Sequence, residues 1–357
     1  MDNILKRLLV IFDPNKKIAQ KGEVLVGLGN TQEKNDGIVL QHKTGKIRYD
    51  CLSQFVYETN FNILDPDTCC QQFYIEDLSV DTVLPIWLFL HKVHKEEIPE
   101  NVNVWIDYSS RWEQGDTSTT GEAFESYGCL QNALVLSQRS SSPSEVLSSS
   151  LFFLDFLIGN DINPAAIPAD LDDPNYALSF EALKREFQNY ESIIDESETA
   201  VLQVPQKDSD TTQEVSAIFI QTEIVSSIQK VFLRNDKLLS PTKDGFALMA
   251  AYSPKAIGTG NDIVISVDPQ KHIWLRELWL ELEKEEDKLW SGARPDDSPR
   301  PLASYPDNNG PNEPWWDDMG NYTLIASPKK VGDEYGRRVS WETVKQIIKQ
   351  LYAKGAN

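Results

Sequence analysis

The chain has 357 residues, enough for about two domains at roughly 150 residues each. Hydrophobic residues make up 40% and charged residues 25%, so a core forms and wholesale disorder is excluded. With 55 acidic and 34 basic residues the formal net charge is −21, which disfavours non-specific nucleic-acid binding and attachment to an anionic membrane surface, since both need a basic face.

At the start of the sequence an acid, Asp2, precedes a short apolar run that stops at Asp13-Pro14, which is not the pattern of a signal peptide. Residues 23–28, 37–41 and 71–75 read as strands, and residues 79–95 as a helix with Leu84, Trp87, Leu88 and His91 at helical spacing. Residues 102–107 read as a further strand. A helix over 119–138 places Ala123, Phe124, Tyr127, Leu130, Ala133 and Leu134 on one face. The serine-rich stretch 137–150 reads as an exposed loop leading into a helix. Phe180, Leu183, Phe187, Tyr190 and Ile194 predict an amphipathic helix over 179–197. Residues 205–213 are the loop of a hairpin between 201–204 and 215–220. Strands follow at 246–251 and 263–267, then a helix over 270–290, a proline-rich irregular stretch over 291–320, and a strand over 321–326. The last helix takes Ser340 as its N-cap and runs to 353. The longest apolar runs, 84–90 and 151–158 (the latter broken by Asp155), fall short of the ~18 residues that cross a bilayer and read as buried helix. The expected fold class is α/β: an α/β sheet domain with a helical connection over 1–198, and a smaller α+β domain over 199–357. The expected location is the cytoplasm.

The most suggestive chemistry is the run Tyr74-Ile-Glu-Asp-Leu-Ser-Val-Asp81. A strand ends, carboxylates follow, and a helix begins. Ligands of open α/β sheets bind beyond the carboxyl ends of the strands. The next expected strand ends in Asp107, with Arg111, Glu113 and Asp116 close behind. If the two strands are neighbours, Asp77, Asp81, Asp107 and Asp116 converge as ligands for Mg²⁺ or Mn²⁺. Glu76 or Glu113 then serves as a base and Arg111 as a phosphate clamp. The competing explanation is that acids at helix starts are favoured by capping and the helix dipole. This stretch faintly resembles DHH-type phosphoesterases over 74–128. The resemblance implies a metal-dependent hydrolase, but the defining Asp-His-His is replaced by Asp107-Tyr108-Ser109, which implies lost ligands and equally a binding-only descendant.

Other chemistries have little in their favour. The four cysteines (Cys51, Cys69, Cys70 and Cys129) form no C-x-x-C pair, and His42, His91, His94 and His272 are scattered. No G-x-S-x-G or Walker A sequence occurs, and Gly27-Leu-Gly29 lacks the third glycine of a dinucleotide loop. His42 reads as a hairpin residue and Cys129 as a small core residue. Tryptophans in polar surroundings (Trp112, Trp290, Trp315 and Trp316) either pack a core beneath irregular segments or anchor a protein partner.

The run Pro314-Trp-Trp-Asp-Asp-Met-Gly-Asn-Tyr-Thr-Leu-Ile-Ala-Ser-Pro328, followed by Gly336-Arg-Arg-Val-Ser-Trp-Glu-Thr-Val344, is similar to a segment of accessory proteins in bacterial conflict systems built around MoxR-type or FtsH-type ATPases and von Willebrand-type partners. That resemblance implies a component that recognises a protein partner in a multi-protein assembly and identifies no catalytic residues. Two functions are therefore open to the chain: a partner-binding accessory or sensor module, and a divalent-metal-dependent phosphoesterase-like hydrolase.

Overall fold

The computed structural model describes residues 9–29, 34–44, 47–65, 72–117, 125–169, 171–222, 227–254, 261–290, 315–317, 321–328 and 336–353. Cys69, Cys70, Ala123, Phe124 and the greater part of the 291–320 stretch, and the side chain of Trp290, lie outside the described residues. The chain divides into two compact units, Met1–Glu186 and Phe187–Asn357.

The first unit is built on a parallel four-stranded sheet. Its strands are β1 (Leu9–Phe12), β2 (Glu23–Val26), β3 (Ile38–Leu40) and β6 (Gln72–Ile75), in the order β1-β6-β2-β3. The small hairpin β4 (Lys43–Thr44) and β5 (Ile47–Arg48) follows β3. Val24, Leu25 and Val26 are buried, as expected of a strand covered on both faces. The helices are α1 (Leu52–Glu58), α2 (Val80–His94), α3 (Val102–Glu113), α4 (Tyr127–Ser137), α5 (Pro143–Gly159) and α6 (Pro174–Glu196), the last running across the division between the units. α2 is apolar almost all round, with twelve of its fifteen residues buried, and it forms the centre of the helical layer. The open edge of β1 is closed by α5, where Ser144 Oγ accepts from the Val10 N–H at 3.0 Å.

Two expectations are corrected by the fold. Residues 102–107 form no strand and belong to α3. Val102, Val104 and Ile106, β-branched at every second position, imitate a two-residue period, but Val102, Trp105, Tyr108 and Ser109 are the buried positions, and they lie three and four apart. The serine-rich stretch is a loop only to Ser142. That residue caps α5 through a capping box with Glu145, and Pro143 occupies the first helical position, where its missing N–H costs nothing. Of the helix expected over 119–138, residues 119–124 lie outside the described residues, and α4 begins at Tyr127, capped by Ser126. Gly128 is required at this start because a Cβ there would lie 2.2 Å from the Trp112 ring. Trp112 also stacks on Tyr108 and so serves as packing at the end of α3.

The second unit holds a mixed six-stranded sheet in the order β11-β12-β10-β9-β8-β7. The expected hairpin is present as β7 (Glu198–Pro205) and β8 (Thr212–Gln221). β9 (Phe246–Tyr252) runs parallel to β8 after the crossover helix α7 (Ser227–Asn235). β10 (Ile263–Val267), β11 (Trp316–Asp317) and β12 (Leu324–Ala326) complete the sheet with antiparallel pairings. Val215, Ala217 and Phe219 face one core together with α8 (Arg276–Trp290) and α9 (Trp341–Leu351), as period-2 alternation requires. Phe232 of α7 meets Phe187 and Tyr190 edge-on. Half-buried Arg234 donates to the Phe246 and Ala247 carbonyls at 2.7 and 2.6 Å, with Gly245 (φ +73°) passing against its backbone where a Cβ would lie 1.8 Å from the Arg234 oxygen. The outer edge of β7 is also occupied: Gln203 N–H donates to the Tyr352 carbonyl and Trp274 N–H to the Pro205 carbonyl. Among the described residues no helix is long and apolar enough to cross a membrane.

Candidate functional site

The parallel strands of the first unit all deliver their carboxyl ends to one edge. β6 leads through Glu76 and Asp77 into α2, and β3 leads into His42. Glu76 and Asp77 are exposed. Asp77 Oδ1 accepts from the Ser79 N–H at 3.0 Å and from Thr82 Oγ1 at 3.3 Å, so it secures the first turn of α2 while the Ser79 side chain leaves that turn uncapped. Asp81 lies in the same turn but points into the protein. Ser109 Oγ of α3 donates to its Oδ1 at 3.4 Å, and Ser109 Oγ is in turn 3.1 Å from Ser53 Oγ of α1. Pro85 lacks the N–H that would close on the Asp81 carbonyl, which loosens the helix ladder at the same spot.

Burial is the main reason that the Asp81 carboxyl is pushed up to about 8. The charges of Glu113 and Asp77 push the same way, and the Ser109 hydrogen bond acts weakly against them. Glu113, at the end of α3, is also raised, mainly by burial, with His42, the Leu52 N–H and Arg48 opposing. His42 Nδ1 lies 3.5 Å from Glu113 Oε1. His42 also accepts from the Tyr49 N–H through its carbonyl, which closes the β4–β5 hairpin and agrees with its reading as a hairpin residue. Cys51 caps α1 by accepting from the Gln54 N–H at 3.4 Å. Burial, with Glu113 and Asp81 adding, pushes its thiol up to about 11, which is the opposite of an activated nucleophile.

The expected metal set does not converge. Asp107 stands in mid-helix on the solvent face of α3 because its segment is helical, and the strand end that was to present it is absent. Arg111 Nε is 3.4 Å from Asp107 Oδ2 and Arg111 Nη1 is 3.8 Å from Asp116 Oδ2, so both acids share the cation assigned as a phosphate clamp. Glu113 and Asp77 do act electrostatically on Asp81. Among the described residues, however, no group of three or more His, Cys, Asp and Glu side chains is placed to hold a metal ion. The chemistry available at the edge is that of a carboxyl that keeps its proton near neutral pH, linked to a buried hydroxyl pair and bordered by a second raised carboxyl. Ser53 and Ser109 carried no signal in the sequence; they become partners of Asp81 only when α1, α2 and α3 pack together.

In the second unit the tryptophan-rich segment is internal. Trp315 is fully buried. Its backbone N–H donates to Glu283, its indole N–H donates to Glu286 Oε2 at 3.1 Å, and its carbonyl accepts from Trp279 Nε1 at 2.7 Å. Glu286 also accepts from the Arg338 N–H. Arg337 Nε grips both oxygens of buried Asp262 at 2.8 and 2.9 Å, Arg337 Nη2 donates to Asp262 Oδ2 at 2.6 Å, and Ser327 Oγ donates to Asp262 Oδ1 at 2.8 Å. Trp341 stacks on Tyr252. Trp315 packs the core, the first of the two roles open to it from the sequence, while Trp316 is half-buried. Glu283 and Glu286 lie four and seven residues after Trp279, on its inward stripe, and that spacing was the available signal.

A different surface is displayed beyond α7. Asp236 Oδ1 accepts from the N–H groups of Leu238 (2.9 Å) and Leu239 (2.7 Å), while its other oxygen bonds the Tyr190 hydroxyl. Lys243 Nζ donates to the Leu238 carbonyl, and Gly245 N–H to Ser240 Oγ at 3.1 Å. Held in this way, Leu238 and Leu239 are 77% and 48% exposed. Comparison of the chain with protein-family models, curated proteins and solved structures finds no match.

Proposed function

We propose that this chain is a binding module that engages a protein partner, as an accessory or sensor component of a multi-protein assembly; the C-terminal likeness to accessory proteins of bacterial conflict systems is consistent with that setting. One observation carries the reading. The loop after α7 spends its polar groups on its own backbone and on Tyr190, and turns two adjacent leucines outward. A pre-ordered apolar anchor loses little conformational freedom on association, which lowers the cost of binding. The test is affinity capture with the full-length chain, identification of the partner, and titration of the purified partner against wild type and a Leu238→Ser/Leu239→Ser variant. Ile63→Ser serves as control, because Ile63 is 82% exposed in the first unit. At least tenfold weaker binding in the double variant alone is the expected result. Equal affinity for all three proteins overturns the reading.

A second reading, a divalent-metal-dependent phosphoesterase-like hydrolase using Mg²⁺ or Mn²⁺, is favoured by Asp81, which sits in the field of Asp77 and Glu113. A cation there would relieve that repulsion and displace a proton. Calorimetry with Mn²⁺ on wild type and Asp81→Asn, followed by hydrolysis of a generic aryl phosphodiester, tests it. Micromolar Mn²⁺ binding with turnover, both lost in Asp81→Asn, would replace the first reading. Absence of binding at millimolar Mn²⁺ removes the second.

A further inference from the structure

We draw no further inference here: the strongest candidate, the Asp81–Ser109–Ser53 chain with Glu113 at the carboxyl edge of the parallel sheet, belongs to the site already described and is an acidic cluster beside which nothing in the structure points to a particular ligand.

Discussion

Replacing Asp81 by asparagine isolates the cost of an acid placed where its charge is poorly tolerated. The ordinary aspartate value is 3.8, and in the folded chain the carboxyl is pushed up to about 8. The folded state therefore holds this proton more tightly than the unfolded state. Stability contributed by the neutral carboxyl is complete below about pH 4, declines as pH rises, and is exhausted once pH passes about 8. At about 1.4 kcal/mol per unit the full gap sets a ceiling of about 6 kcal/mol. An effective interior dielectric nearer 20 than 4, and partial access to solvent, reduce the expected loss to about 2–4 kcal/mol. The asparagine side chain keeps the shape and still accepts from Ser109 but does not titrate. The informative quantity is the stability difference between variant and wild type, because other carboxylates (Asp155 and Glu198, both lowered by their partners) change stability in the opposite sense in acid. Urea titrations followed by hydrogen exchange in residues 80–113 report on the first unit. The variant should match wild type near pH 4 and exceed it by about 2–4 kcal/mol at pH 9. A pH-independent difference, or a less stable variant at pH 9, refutes the argument that burial and the neighbouring acids set the behaviour of Asp81.

Two further outcomes test the packing on which the site depends. Gly128→Ala forces its new methyl into the Trp112 ring, 2.2 Å away, and should cost about 1–3 kcal/mol, with Trp112 fluorescence shifted; unchanged stability would mean that the ring has room to move. Asp262→Asn leaves the Arg337 guanidinium half-matched and should destabilise the second unit by about 3–5 kcal/mol, whereas Asp262→Asn with Arg337→Met should recover part of that loss; equal loss in both would refute the pairing argument.

Where burial imposed a period, the elements were legible. α2, α6, the β7–β8 hairpin, β9, β10 and α9 with its Ser340 cap all carry apolar residues at the spacing of the structure they adopt. α1 and α7, of seven and nine residues, are too short to display a period, and they owe their form to the neighbours they cover. α3 imitates a strand because β-branched Val102, Val104 and Ile106 fall at every second position, whereas the buried positions Trp105, Tyr108 and Ser109 follow helical spacing. That single ambiguity is what carries Asp107, in the sequence reading, to a sheet edge it does not reach. The acidic site was legible in part for the same reason. Asp77 and Asp81 follow β6 as expected, and Glu113 arrives beside them at the end of α3 instead of in a loop behind a strand. The hydroxyls that complete the cluster are long-range partners, 28 and 56 residues apart in sequence, and no local pattern announces them.

The charge of the chain gives the two functional readings unequal weight. A surplus of acids slows capture of an anionic phosphoester, and the guanidinium that would have offset this, Arg111, is shared between Asp107 and Asp116. The same surplus steers encounter with a partner of net positive charge, and it need not be desolvated at the contact. The loop of Leu238 and Leu239 is suited to that contact: Asp236 is turned inward to Tyr190 and the loop backbone, Asp244 is paired with Lys271, and Lys237 and Lys243 stand exposed near the leucines. Apolar contact there buries no unpaired carboxylate, so the transfer of two leucines from water, about 1.5–3 kcal/mol each when complete, is not cancelled by a desolvation cost. On that arithmetic the double serine substitution removes binding energy worth at least a factor of ten, and a loss smaller than this places the dominant contacts elsewhere on the chain.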